Sequence, residues 1–387
     1  MKILFISHQA SKTGAPIALL SFVKWLSKSQ NHKLRFFIVK GGDLNGDFKK
    51  YGKTFVLEKK WRGKFEMIML GFDDLFPHIR QHINGLKVSL YTLFYTPDLI
   101  YVNSVASLKT LPFIRNKKKI RVLCHVHELE FVIRQLISET EFIKISKYIE
   151  RYIVPSEIVG KNLTDNYSIQ ADCIEVIPEH INIADPSEPK KKITDELKID
   201  DKSFIVMGSG ITLWRKAPEI FIMIAQEVVR HTDRKFKFIW LGELYPPYYK
   251  CLLHDIKQMN LSEVVAFIDQ VDNVYNYLQV ADVFLLVSRE DPYPLVCLEA
   301  ASQGVPIICF DKSNGMQEFV NEDAGFVVPY IDIKVVAEKI IELMNNPELK
   351  EKLGRTGKKR VHEESDINIT GPKIIKIIEN LITKEKE

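Results

Sequence analysis

The chain has 387 residues, more than one hydrophobic core comfortably organises, so two domains are expected. Its 46% hydrophobic content is that of a globular protein, and the absence of any apolar run of about 18 residues excludes a membrane-spanning helix. The net charge of +4 is uneven: residues 1–184 hold 27 Lys+Arg against 17 Asp+Glu, while 185–387 hold 27 against 33, a basic first half that suits anionic lipid, an acidic substrate or plain solvated helix faces.

Apolar strand-like runs alternate with amphipathic helical stretches from the start. Strands are expected at Lys2–Ser7, Leu34–Val39, Thr54–Leu57, Leu99–Val102, Arg121–His125, Arg151–Val154 and Ile174–Ile177. Between them helices are expected at Pro16–Lys28, Ser107–Ile114, Leu129–Ser138 and Glu157–Tyr167, with a turn at Gly41–Gly42–Asp43. Pro178–Lys192, with three prolines and a lysine run, reads as a linker. The rhythm then restarts with strands at Phe204–Met207, Phe236–Leu241, Val264–Ile268, Val283–Val287 and Val305–Phe310. Helices follow at Glu219–Arg230, Pro247–Met259, Val274–Val280, Pro294–Ser302, Ile333–Asn345, Pro347–His362 and Thr370–Thr383. The pattern predicts an α/β chain of two Rossmann-like domains with a cleft for ligands outside the carboxyl ends of the strands.

Met1–Ser7 has no small-residue cleavage site behind it, so it reads as a first strand and not a signal peptide. The five cysteines, Cys124, Cys173, Cys251, Cys297 and Cys309, are odd in number and without CxxC spacing. Neither a disulfide framework nor a zinc site is implied, and a cytoplasmic location is expected.

One stretch, Val287–Phe310, gathers the chemistry. A strand enters the polar turn Ser288–Arg289–Glu290–Asp291, two prolines follow, and a helix starting near Pro294 ends at Gly304. The free N–H groups of such a helix attract anions, and Leu295 and Val296 are placed to donate to a phosphate. Glu299 lies in an otherwise apolar helix, where a carboxylate needs a partner. A ribose, whose adjacent hydroxyls can both donate to one carboxylate, is a good one; a structural pairing is the plain alternative. Gly208–Ser209–Gly210 with Arg215–Lys216 forms a second group, either a backbone-approach loop with cations for a diphosphate or a simple turn beside solvated charges. A third is His125–Val126–His127–Glu128 at a strand end, which lacks a third ligand at metal spacing; His125 reads as a satisfied core histidine. The fourth is the loop His8–Pro16, where Gly14 and Pro16 open a helix that Ser11 or Thr13 can cap; it is not a dinucleotide fingerprint. Trp61, Phe65, Met67, Leu70, Phe72 and Phe76 with Lys59, Lys60, Arg62 and Lys64 form a basic-aromatic patch, read as helix packing with a membrane surface as the minority reading. Lys117–Lys119 reads as a solvated loop.

Ser288–Pro306, SREDPYPLVCLEAASQGVP, resembles the nucleotide-sugar motif of the family-4 retaining glycosyltransferases, a Glu, seven residues, a Glu, then Gly-x-Pro before a strand. Asp291 stands at the first acid and Glu299 at the second, and Pro294 stands where Gly is common. The resemblance implies a GT-B fold, with an acceptor domain at 1–182 completed by helix 370–387 and a nucleotide-sugar domain at 183–369. It implies that Glu299 holds the ribose, that Arg215 and Lys216 neutralise the diphosphate, and that Asp291 and His127 orient the sugar. Lys216 matches the lysine of the family's Lys-Gly dipeptide, with Ala217 for the Gly, and Gly210 occupies the place of a second arginine. Gly14, Gly208, Ser209, Gly210, Tyr293, Pro294, Leu295 and Val296 would line the donor, and Val271, in the loop Asp269–Asp272, the base. The implied activity is transfer of a hexose, glucose first, from a UDP-sugar to a glycan or lipid-linked acceptor in polysaccharide synthesis. No cofactor is implied beyond the donor, and no metal, in keeping with the absence of Asp-x-Asp. Nucleic acid is not an expected partner, and a peripheral position at the inner membrane face is compatible. An epimerase, or a non-catalytic sugar-nucleotide sensor, is the alternative on the same fold.

Overall fold

The computed structural model describes residues 1–29, 32–58, 87–92, 95–114, 120–200 and 202–383. The basic-aromatic stretch around Trp61 and the Lys117–Lys119 run lie outside the described residues. The chain forms two compact units, Met1–Pro178 with Ile367–Glu387, and Glu179–Asp366. The crossings thus fall a few residues before the 182/183 and 369/370 divisions expected from sequence. Ile181 bridges to Asp366 inside the second unit, and Ile367 joins the core of the first.

The first unit is built on a parallel sheet of seven strands: β1 (Lys2–Gln9), β2 (Lys33–Lys40), β3 (Lys53–Glu58), β4 (Leu99–Asn103), β5 (Arg121–His125), β6 (Arg151–Val154) and β7 (Ile174–Val176). Their order is β3-β2-β1-β4-β5-β6-β7. Both faces are covered, so the strands read as unbroken apolar runs. In β1, Leu4 and Ile6 join one core while Ile3 and Phe5 join the other, as the two-residue period of a strand requires. The second core is completed by the helix Ile367–Thr383, whose Ile374, Ile378 and Leu381 pack with Leu19 and Phe22. Gly371 admits the Trp25 ring; a Cβ there would lie 2.7 Å from it.

The second unit has six parallel strands: β8 (Phe204–Ser209), β9 (Phe236–Leu241), β10 (Val265–Ile268), β11 (Val283–Leu286), β12 (Ile307–Phe310) and β13 (Gly325–Val328). The order β10-β9-β8-β11-β12-β13 reverses direction between β8 and β11. That switch point opens a crevice at the carboxyl ends of the strands, where such sheets bind ligands. The helix Leu295–Ser302 leaves this edge and is held from behind by the helix Pro347–Glu364. The two meet glycine to glycine: a Cβ on Gly354 would stand 1.9 Å from the Gly304 carbonyl oxygen.

Several elements differ from the sequence expectation. The helix expected at Ser107–Ile114 is a 3-10 helix, Val105–Phe113, entered from Ser104 at φ 78° and carrying Pro112, which cannot donate to an α-helical ladder. Short helices at Asn45–Tyr51, Glu139–Ser146 and Lys190–Glu196 and strand β13 were not expected. Each is eight residues or fewer, too short for periodicity to stand out. Lys190–Glu196 begins inside the stretch read as linker and runs past its end, and ion pairs Lys191–Asp195 and Lys192–Glu188 support it.

Candidate active site

In the second unit the loops after β8 and β11 meet at the switch point. β8 runs out through Gly208, Ser209 and Gly210. Gly208 is a packing glycine: a Cβ there would lie 2.9 Å from the Trp240 ring. Gly210 has φ 151°, and a Cβ on it would lie 2.8 Å from Lys216 Cγ. The lysine stem therefore fills the space that a side chain at 210 would need. Gly242 crosses Gly210 closely, and Trp240 Nε1 donates to the Gly210 carbonyl at 2.8 Å, so the strand exit is fixed.

The loop then turns back through Lys216 and Ala217 into the helix Pro218–His231. Ala217 sits in the left-handed region at φ 56°, a conformation that favours glycine. Lys216 Nζ makes a short ion pair with Asp291 Oδ2, and Arg215 Nη1 lies 3.8 Å from the same oxygen. Ser288 Oγ donates to it at 3.1 Å. Asp291 is buried, which alone would raise its pKa, yet Lys216 and Arg215 hold it below the usual carboxylate range. Its backbone is pinned too, its N–H donating to the Ser313 carbonyl at 2.9 Å. Asp291 is thus the counter-ion of the cation loop.

Pro294 is the cap residue and the helix proper begins at Leu295, one residue later than expected. The cap has an extended backbone, and the N–H groups of Leu295 and Val296 lie in the first turn, where a helix has no carbonyl to offer them. Along this helix Cys297, Leu298, Ala300, Ala301 and Ser302 are buried, while Leu295, Val296 and Glu299 are partly exposed. Leu295 and Glu299 are four apart and share a face. Among the described residues no partner is seen for the Glu299 carboxylate, and burial pushes its pKa up to about 7. Tyr293, expected beside the donor as an N–H donor, turns its ring into the core with Leu298 and Met316, and burial raises its hydroxyl pKa. Only its backbone remains on the loop. Val271 is partly exposed in the loop after β10. There Asp269 Oδ1 accepts from the Gln270 N–H at 2.8 Å.

In the first unit the polar residues also gather at the carboxyl edge. Glu128 is buried and accepts from the Val105 N–H at 3.1 Å, the His127 N–H at 3.0 Å and, in a short bond, Ser104 Oγ. It ties the loop after β4 to the loop after β5. Asn103 Nδ2 donates to the Ala15 carbonyl at 3.1 Å, which turns its Oδ1 toward His127 Nε2 at 3.0 Å. Because that oxygen can only accept, the contact places a proton on Nε2. His125 is buried against the Tyr101 hydroxyl at 2.6 Å, the core histidine expected. His8 is held below its usual pKa by burial. Gly14 opens the helix Gly14–Leu26 with nothing within 4 Å of a Cβ built on it. Neither Ser11 nor Thr13 caps that helix: Thr13 Oγ1 meets Ser11 Oγ at 2.9 Å and Gln9 Nε2 at 3.1 Å.

Sequence reasoning did not assign Asn103, Ser104, Ser288, Glu219 or Arg289. All but Glu219 sit at or just beyond a strand's carboxyl end, a position that was available as a signal. Glu219 opens the next helix, and its partner is found only in space.

Comparison with known proteins follows the same division. Residues 189–360 match the family described as Glycosyl transferases group 1. The N-acetyl-alpha-D-glucosaminyl L-malate synthase of Bacillus anthracis is 29% identical over 139 residues, 36% of this chain and 35% of the relative. The capsular polysaccharide biosynthesis glycosyltransferase CapM of Staphylococcus aureus is 29% identical over 123 residues, 32% of each chain. These matches span about a third of the relatives' own lengths. Among solved structures, Anabaena HepE in complex with UDP and glucose has a TM-score of 0.80 at 17% identity, covering 98% of this chain and 99% of that one. The sucrose-phosphate synthase of Thermosynechococcus elongatus has a TM-score of 0.78 at 19% identity, covering 98% and 99%. The fold is therefore GT-B, two Rossmann-like units, over nearly the whole chain.

Proposed function

We propose that this chain, a group 1 glycosyltransferase by its residues 189–360, transfers a hexose from a nucleotide diphosphate sugar to a hydroxyl of a glycan or lipid-linked acceptor. The observation that carries the reading is Glu299: a partly exposed carboxylate with no partner among the described residues, on a helix whose first-turn N–H groups adjoin the loop bearing Asp291 and its cations. Such a carboxylate gains most from a ligand with two adjacent hydroxyls, and the neighbouring cations from one carrying a diphosphate. A nucleoside diphosphate has both.

In the proposed reaction the bond from the anomeric carbon to the β-phosphate oxygen breaks and negative charge grows on the departing diphosphate. Lys216, Arg215 and the N–H groups of Leu295 and Val296 stabilise that charge. Arg215 supplies the second cation that Gly210 cannot, because the Lys216 stem occupies the space above Gly210. Asp291 holds Lys216 until the diphosphate arrives, then turns to the sugar. The base lies by Val271, and the resident cations stand in for a divalent metal. UDP-glucose is the first donor to test, in keeping with UDP in the HepE complexes. Retention of anomeric configuration, a sugar-side role for His127 and an inner-membrane-face location belong to the same proposal.

Radiolabelled UDP-glucose, GDP-mannose and ADP-glucose, offered with a panel of glycan and lipid-linked acceptors in the presence of EDTA, test the activity. UDP binding by calorimetry to wild type and Glu299→Ala tests the site. Transfer that needs an added divalent ion removes the metal-free reading. Unchanged affinity in the variant removes Glu299 from the ribose, and binding without turnover across the panel favours a sensor.

A further inference from the structure

Arg289 lies between the two loops and belongs to none of the groups that face the donor. Its backbone N–H donates to the Arg215 carbonyl at 2.9 Å, and its Nη1 donates to the Trp214 carbonyl at 2.6 Å. The guanidinium carbon is 4.7 Å from the centroid of the Trp214 ring, the distance of a cation–π contact. Nη1 also lies 2.5 Å from Glu219 Oε1, with both side chains largely enclosed at 17% and 18% exposure. Glu219 is in the first turn of the helix Pro218–His231, where its charge suits the helix dipole. Its other oxygen accepts from the Tyr248 hydroxyl at 2.7 Å, and Tyr248 stands on the helix Pro246–Gln258. In return, Arg215 Nη1 donates to the Glu290 carbonyl at 2.7 Å. Each loop thus grips the other's backbone through an arginine.

We propose that Arg289, braced by Glu219 and Tyr248, is the positioning residue of the cation loop: it holds Trp214–Lys216 so that both cations face the diphosphate. This rests on the reading of that loop as the diphosphate-binding one. The chemistry favours a brace over a third phosphate contact. The guanidinium is already committed through Nη1 to a carbonyl and a carboxylate, and its planar face lies over an aromatic ring, a stacking that a lysine ammonium does not reproduce. Trp214 itself is 49% exposed, and the Arg289 guanidinium lies over its ring.

The test uses the full chain with Arg289→Ala, Arg289→Lys and Tyr248→Phe. Hydrogen–deuterium exchange of the free protein reads the brace without any ligand. The Lys216 and Ala217 amides, bonded to the Leu213 carbonyl, should exchange at least about tenfold faster in Arg289→Ala, the equivalent of one lost charge-assisted hydrogen bond, with the strands unchanged. Unchanged exchange there overturns the brace. Calorimetry with UDP and with UMP then reads the consequence. Arg289→Ala should lose about tenfold in UDP affinity and under threefold in UMP affinity, with Arg289→Lys and Tyr248→Phe intermediate. A UDP loss confined to Arg289→Ala, with Tyr248→Phe at wild-type affinity, makes Arg289 a direct phosphate contact and overturns positioning. Wild-type protein that binds neither nucleotide refutes the functional reading and leaves the exchange result to decide the brace.

Discussion

On the proposal that Glu299 holds the ribose, raising the pH should tighten donor binding, because the carboxyl must lose its proton before it can accept two hydroxyls. Burial lifts that carboxyl to about 7 in the free protein. At pH 6 it is then about ten parts protonated to one ionised, and binding that requires the ionised form is weakened about elevenfold relative to high pH, roughly 1.4 kcal/mol. UDP-glucose is the ligand to use, since both its phosphates are esterified and neither titrates in this range. Calorimetry from pH 5.5 to 8.5, in two buffers of different ionisation enthalpy, should show affinity rising to a plateau above about pH 8, with about 0.9 proton released per ligand at pH 6. Glu299→Gln should bind weakly at every pH and release none. An affinity independent of pH in the wild type, or the same slope in Glu299→Gln, would refute the reasoning. The sign for folding is opposite. A carboxyl raised in the folded state stabilises most below its unfolded value of 4.5, and that contribution, up to about 3 kcal/mol, is lost as the pH rises through about 7. Bound nucleotide should restore part of it.

Lys216→Met leaves Asp291 buried with only the more distant Arg215, and should cost about 3–5 kcal/mol in urea denaturation at pH 7. The loss should shrink as the pH falls and Asp291 takes up a proton; a cost below about 1 kcal/mol would mean that the pair is solvated. Asp291→Asn frees Lys216, so UDP affinity should hold or improve while turnover falls at least about tenfold, the scale of one charged hydrogen bond. Equal loss of both would contradict a sugar-side role. Ala217→Gly relieves a left-handed alanine at φ 56° and should raise stability by about 1 kcal/mol, read as a higher melting temperature; a lower one would show that the alanine methyl packs better than its backbone is strained.

The sheets were legible because parallel strands covered on both faces are short apolar blocks between polar turns; Arg121–His125, Arg151–Val154 and Phe236–Leu241 fall where the pattern puts them. The long helices Glu157–Tyr167 and Ile333–Asn345 were legible from periodicity. A carboxylate set in an apolar run was legible as well, as with Glu299 on its helix. What the chain does not spell out is pairing across loops. Nothing local says that Asp291 and Lys216, 75 positions apart, form an ion pair, or that Arg289 reaches Glu219. Nor does the loop spell out that the Tyr293 ring fills the core. Gly210 shows the converse, since the Lys216 stem fills the space above it and leaves no room for a side chain, a departure from the resembled pattern that sequence could only note; the dihedral of Ala217, by contrast, is one that suits the glycine it replaces.

The return of Ile367–Thr383 to the first unit sets an order of assembly on the ribosome. The second unit is one unbroken run, Glu179–Asp366, and is complete as soon as that run emerges. The first unit is begun earlier but finished later, because Ile374, Ile378 and Leu381 belong to the core with Leu19 and Phe22. Until that last helix docks, one face of the first sheet lacks its cover. A chain stopped after Asp366 would carry an intact second unit beside an apolar face at Leu19, Phe22 and Trp25 that is open to chaperones or to other unfinished chains.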